Sequence, residues 1–234
     1  MGNLLLAVVV VALAQTAPEP PKEDITDDIV VVGARDNFKM SMRAMRAAQS
    51  EFGRQRRQYA PDSILSFLIE PFGGAEGRLP VKLYLTDGRS KVAIDLRSDD
   101  SFGLPAEPAG KWWLEANRSA REIKISPLVM SPNATRYEYR LGDARLQCRI
   151  LWAMEKASAS VLAAPLLGMI DVAGPCTSQK IGIYVTAPRT VRSAILDEGS
   201  RRLPIPVLNF GRSYRLPVYD LTFSNEAHIT LVTD

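Results

Sequence analysis

The sequence predicts a mainly β fold: two related small β-sandwich-like domains preceded by one amphipathic helix. Three observations lead there. Short alternating apolar and polar runs, punctuated by turn residues such as Asp87-Gly88, fill most of the chain after Pro61. Several of these runs recur in the same order in the two halves. One stretch near the start instead carries apolar residues at helical spacing. The 234 residues, 46% of them hydrophobic, suffice for one large or two small cores.

Asn3 to Ala14 is uncharged and nearly all apolar, but shorter than the roughly 20 residues a membrane-spanning helix needs. Ala12-Leu13-Ala14 supplies a small-x-small cleavage pattern, and Pro18 and Pro20 follow it. Residues 1–14 are therefore expected to be a signal peptide cleaved after Ala14, which makes the protein periplasmic or secreted. The most apolar later stretch, Val161 to Val172, is interrupted by Pro165 and Asp171, so no transmembrane segment is expected in the mature chain.

Residues 15–35 read as a flexible acidic arm, because six acidic and two basic residues lie between Glu19 and Asp36. Its last eight residues, Asp28-Ile29-Val30-Val31-Val32-Gly33-Ala34-Arg35, form a β-prone segment able to pair with a free sheet edge. The octet resembles the segment near the mature N-terminus of TonB-dependent outer-membrane receptors. That resemblance implies a link to outer-membrane transport.

Residues 36–58 are expected to be the helix. Phe38, Met42, Met45 and Phe52 fall on one helical stripe, Asp36 is positioned as an N-cap, and Arg54, Arg56 and Arg57 suit the C-terminal end. Arg43 and Arg46 lie on the opposite face. Packing on its own domain is the expected role of the apolar stripe.

The first β domain is expected over 59–130, a junction over 131–143, and the second β domain over 144–234. Leu65–Ile69 aligns with Leu146–Ile150 at an offset of 81, and Leu83–Ser90 with Ile183–Thr190 at 100. Ser101–Pro105 aligns with Ser213–Pro217 at 112, and a strand around Ile123 to Ile125 matches one around Ile229 to Leu231. The drift requires a helical or looped insertion near 153–174 in the second copy. In this register Tyr84 should superpose on Tyr184 and Phe102 on Tyr214.

The first half, with its Asp-Gly turn and its Phe102-Gly103-Leu104-Pro105 strand, is similar to carboxypeptidase-regulatory-like, transthyretin-type sandwich modules. The run Leu141-Gly142-Asp143-Ala144-Arg145-Leu146-Gln147-Cys148-Arg149 resembles a motif of uncharacterised signal-peptide-bearing envelope proteins of Gram-negative bacteria. That resemblance implies no activity.

Chemistry is sparse. A net charge of +3 disfavours a dedicated nucleic-acid binder. Cys148 and Cys176 are expected to form a structural disulfide, since an oxidising compartment pairs two cysteines and no C-x-x-C spacing points to redox catalysis. In the strand reading, Cys148 alternates with Leu146 and Ile150 and faces inward. His228 alternates with Ile229 and Leu231 and is expected on a solvent face, unsuited to act as a triad base. Asp95, Asp99 and Asp100 lack a calcium-loop register and read as a charged hairpin loop. No catalytic, cofactor or metal residue is assigned.

The candidate interaction surface is Trp112, Trp113, Arg54, Arg56 and Arg57. Adjacent tryptophans in a strand point to opposite faces, one into the core and the other toward a neighbouring domain or a ligand. The arginine cluster suits an anionic envelope surface or an envelope protein. The functional expectation is a non-catalytic binding or scaffolding protein of the cell envelope. Its alternatives are a carboxylate-dependent hydrolase of envelope polymers and an accessory factor of an outer-membrane transport system.

Overall fold

Strand β1 (Asn37–Ser41) runs directly into helix α1 (Met42–Tyr59). The computed structural model describes residues 37–71, 80–105, 110–160, 163–179, 183–187 and 189–233. The expected signal peptide, the acidic arm with its octet, and Asp36 lie outside the described residues. The expected helix thus begins six residues later than the stripe suggested, because Phe38 and Met40 alternate on a strand before the helical spacing starts. Ser41 is the cap: its Oγ accepts the Arg43 N–H at 3.1 Å, an arrangement worth about 1 kcal/mol. Of the expected stripe, Met42 and Met45 are buried on the inner face of α1, with Ala44 and Ala48 beside them, and Phe52 is half-buried.

The chain continues through β2 (Ile64–Pro71), β3 (Leu83–Thr86), β4 (Lys91–Ile94), β5 (Ser101–Phe102), β6 (Trp113–Ser119) and β7 (Ile123–Met130). It then repeats the opening move, with β8 (Glu138–Arg140) running into α2 (Leu141–Ser158). After α3 (Ala164–Ala173) come β9 (Ile183–Thr186), β10 (Val191–Glu198), β11 (Arg201–Ile205), β12 (Val207–Leu208), β13 (Ser213–Leu216) and β14 (His228–Thr233). With 39% strand and 26% helix the fold is mainly β, and the strand pairs are antiparallel.

The sheets are ordered β1-β6-β3-β4, β5-β2-β7, β11-β10-β14-β8 and β12-β13-β9. In each four-stranded sheet the strand that feeds an 18-residue helix lies at one edge. Beside it runs a late strand of the same half, and a β-hairpin completes the order. The pairing of segments expected from the sequence does not follow this order. β3, with Tyr84, is a central strand flanked by β4 and β6, whereas β9, with Tyr184, pairs only with β13 among the described residues and lies at the edge of their sheet. Phe102 sits on edge strand β5, but Tyr214 sits on central strand β13.

Leu146–Ile150 is not a strand; it belongs to α2, so Cys148 faces inward from a helix. The alternation of Leu146, Cys148 and Ile150 also fits two opposed faces of a helix, and 143–158 contains no Gly or Pro to break one. Leu146, Ile150 and Met154 enter a core shared with α1 and β2 to β7. Leu141, Ala144 and Cys148 enter a second core with β10, β11, β13 and β14. Residues 35–234 form one compact unit, and α2 contributes to both of its cores.

The motif at the start of α2 explains how one helix meets both cores. No side chain caps α2; its first N–H groups, of Leu141 and Gly142, instead donate to the carbonyls of Ala227 (2.7 Å) and Asn225 (2.9 Å). Gly142 permits this approach, since a Cβ there would lie 2.1 Å from the Tyr59 carbonyl oxygen. The Asp143 carboxylate accepts from the Ser131 Oγ–H at 2.7 Å and the Ser131 N–H at 3.2 Å. Arg145 is 5% exposed, and its guanidinium donates to Asn225 Oδ1 and to the carbonyls of Val218, Asp220 and Phe223. Arg149 stacks on Tyr59 at 4.7 Å.

Candidate binding groove

β6 pairs with β1 on one side and β3 on the other, matching Trp113 with Ser41 and Thr86 and matching Glu115 with Lys39 and Tyr84. The two-residue alternation sends Leu114 and Ala116 into the core and leaves Trp113 and Glu115 on the outer face. Lys39 lies 5.9 Å from the Trp113 ring centroid. Glu115 is held by Lys91 at 2.6 Å and by Asn37 at 3.5 Å, and the hydrogen bond from Lys91 keeps its carboxyl below the ordinary value. The Asp87-Gly88 turn closes onto Trp113. Gly88 has φ +91°, and a Cβ there would meet the indole at 3.2 Å.

A groove of about 450 Å³ opens where β1 passes into α1. Lys39, Arg43, Arg46, Lys111, Trp112 and Trp113 line it, and no described lining residue is acidic. The first turn of α1 also contains no acidic residue, so the positive end of the helix dipole adds to the side-chain field. The Trp113 Nε1–H is buried and makes no hydrogen bond. The lining suits a ligand that brings negative charge and a flat or apolar surface.

The tryptophans do not face the second half of the chain; they flank the β1–α1 junction, and Trp112 lies just before β6 and packs on the first core. The arginines expected on the same surface are elsewhere. Arg54, Arg56 and Arg57 occupy the far end of α1, a helix about 27 Å long. Arg54 pairs with Glu51, and the Arg56 guanidinium lies 5.6 Å from the Phe52 ring. Sequence reasoning missed Lys39, Arg43, Arg46 and Lys111 as companions of the tryptophans. The available signal was the strand-to-helix change at Ser41, which places Lys39 and Arg43 at one end of α1.

Arg54 instead borders a smaller cleft of about 200 Å³ with Arg149, Trp152, Lys156 and Asp171. Cys148 and Cys176 are bridged beside it, with Cα atoms 5.9 Å apart, as expected for the pair. His228 is exposed on β14 opposite Asp197 and Arg140, and Ile229 beside it is buried, in line with the solvent-face reading. Asp99 accepts from the N–H and Oγ–H of Ser101, in the turn leading into β5.

A third space of about 50 Å³ lies between β2, β7 and β13, bordered by Glu70, Ser126, Tyr139 and Tyr214. It has room for water only. The two tyrosine hydroxyls meet at 2.8 Å, and burial pushes the Tyr214 hydroxyl up to about 12. Glu70 accepts from the Ser126 Oγ–H at 2.5 Å and pairs with Lys124 at 3.1 Å.

No protein-family model matches the chain, and comparison with curated proteins and with solved structures found no match.

Proposed function

We propose that the chain is a non-catalytic binding protein of the cell envelope, and that the groove at the β1–α1 junction seats an anionic, sugar-containing polymer. The observation that carries this reading is the lining itself: four cations and two tryptophans, with no acidic residue among the described lining residues. Indole faces stack on the apolar faces of sugar rings, and the cations pair with carboxylate or phosphate groups. The apolar run from Asn3 to Ala14 and the disulfide support export to an oxidising compartment. No helix among the described residues is long and apolar enough to cross a membrane. The matching order of the two four-stranded sheets supports reading the chain as two related units.

The hydrolase alternative draws no support from the buried carboxylates. Glu51, Glu70, Glu115 and Asp143 each accept from a neighbouring side chain in a structural arrangement.

The test is tryptophan fluorescence during titration with a uronic-acid oligosaccharide, with a neutral malto-oligosaccharide as control. The anionic sugar should bind in a salt-sensitive manner, and Lys111→Glu with Arg43→Glu should weaken it about tenfold or more. Equal affinity for the neutral sugar, or no response to charge reversal, contradicts the reading.

A further inference from the structure

Helix α3 carries an apolar surface that the rest of the described structure leaves uncovered. Leu166, Met169 and Val172 follow one another at spacings of three and are 61%, 72% and 91% exposed. Among the described side chains of α3, only Leu167 and Ile170 turn partly inward. The helix is fastened by its C-terminal end. Gly174, at φ +66°, stops it in the left-handed region, and Cys176 is then bonded to Cys148 of α2. The Asp171 carboxylate is taken by the Trp152 Nε1–H at 2.6 Å and by Lys156 at 3.1 Å, and these contacts hold it below its ordinary pKa. The anchor therefore fixes one side of α3 and presents the other.

Two properties decide what covers that side. Three side chains on a helix about 15 Å long fall well short of the roughly 800 Å² per partner that a stable protein complex buries. The surroundings also carry a net positive charge: Arg54, Arg149 and Lys156 border the adjoining cleft against Glu51 and Asp171, which pair with Arg54 and Lys156.

We propose that α3 is a membrane-surface element whose Leu166, Met169 and Val172 enter the interfacial layer of an anionic lipid bilayer while the net positive cleft beside it faces the headgroups. A short helix with an apolar face beside cations binds in this way, through buried apolar area plus attraction to anionic lipid. The inference is independent of the groove reading, because the groove lies at the opposite end of α1.

The experiment is co-sedimentation of the full chain with phosphatidylglycerol–phosphatidylethanolamine vesicles and with phosphatidylcholine vesicles. Binding should favour the anionic vesicles and weaken with salt. The combined variant Leu166→Ser, Met169→Ser, Val172→Ser should bind at least about tenfold more weakly; these positions are exposed, so its fold is expected to persist. A second readout excludes binding through the apolar run at the N-terminus: anionic vesicles should slow peroxide oxidation of Met169, mapped by peptide mass, at least about threefold. The buried Met42, Met45 and Met154 serve as internal references. Undiminished binding by the variant, unprotected Met169, or a self-association that the triple substitution abolishes without vesicle binding would each overturn the proposal.

Discussion

Arg145 and Asn225 join three parts of the chain through one side-chain pair. The Arg145 guanidinium donates to Asn225 Oδ1 at 2.7 Å, and Asn225 Nδ2 donates to the carbonyl of Gln58 at 3.0 Å. Helix α2, the last turn of α1 and the 217–227 loop therefore share one hydrogen-bond network. Its donor is a fork whose planar geometry reaches several carbonyls at once.

Arg145→Met should destabilise the fold by about 3–5 kcal/mol, because it leaves buried acceptors without a donor. Arg145→Lys should recover little, since an ammonium cannot reproduce the fork. Urea denaturation gives both values. A loss under about 1 kcal/mol for either variant would show that the network contributes little.

Gly142→Ala should be among the most damaging single-methyl changes available, because the new Cβ would lie 2.1 Å from a backbone oxygen that cannot move without α1. The expected loss is above about 2 kcal/mol. Gly53→Ala, in the middle of α1 with nothing within 4 Å of its Cβ, should instead gain about 0.5–1 kcal/mol. Thermal midpoints of the two variants should move in opposite directions, and parallel shifts would refute the close-approach account.

Reducing the Cys148–Cys176 bond, or replacing both residues with Ser, should lower stability by roughly 3–4 kcal/mol, from the entropy of a loop with sequence separation 28. Proteolysis should then begin within 159–179, since α3 is fastened mainly by this bond and Asp171. First cleavage elsewhere would contradict that anchoring.

Burial raises the Asp143 carboxyl above its ordinary 3.8, against the opposing hydrogen bonds from Ser131. A group with a raised folded pKa stabilises the fold below the unfolded value and loses that contribution as pH rises through the folded value. Asp143→Asn, uncharged throughout, should therefore improve relative to the native chain as pH rises from 3.8, and the difference should level off above the raised value. Denaturation midpoints between about pH 3.5 and 7 test the sign. A difference that moves the other way would mean that Ser131 and Arg140 more than offset the desolvation.

The local signals that proved readable were those with one physical interpretation. Alternating runs such as Leu83–Thr86 and Ile123–Ile125 became strands, Asp87-Gly88 became a hairpin turn, and two cysteines in one chain became a bridge. The run from Leu146 to Ile150 misled because a helix buried on two faces shows apolar residues almost as often as a strand does. The same ambiguity hid the recurrence of the strand-and-18-residue-helix unit, since Arg46 and Arg145 are the one identity between α1 and α2 when the helices are set start to start. The groove was legible only in its tryptophans. Its cations come from β1, α1 and the approach to β6, and only the register that sets Ser41 opposite Trp113 brings them together.

Amide hydrogen exchange with and without a uronic-acid oligosaccharide locates the bound ligand on the protein. Ligand bound in the groove should slow exchange at residues 39–46 and 111–113 and leave the far end of α1, residues 54–59, unchanged. Slowed exchange confined to the arginine end, or an unchanged pattern at ligand concentrations that saturate binding, would contradict the assignment of the β1–α1 groove as the binding site.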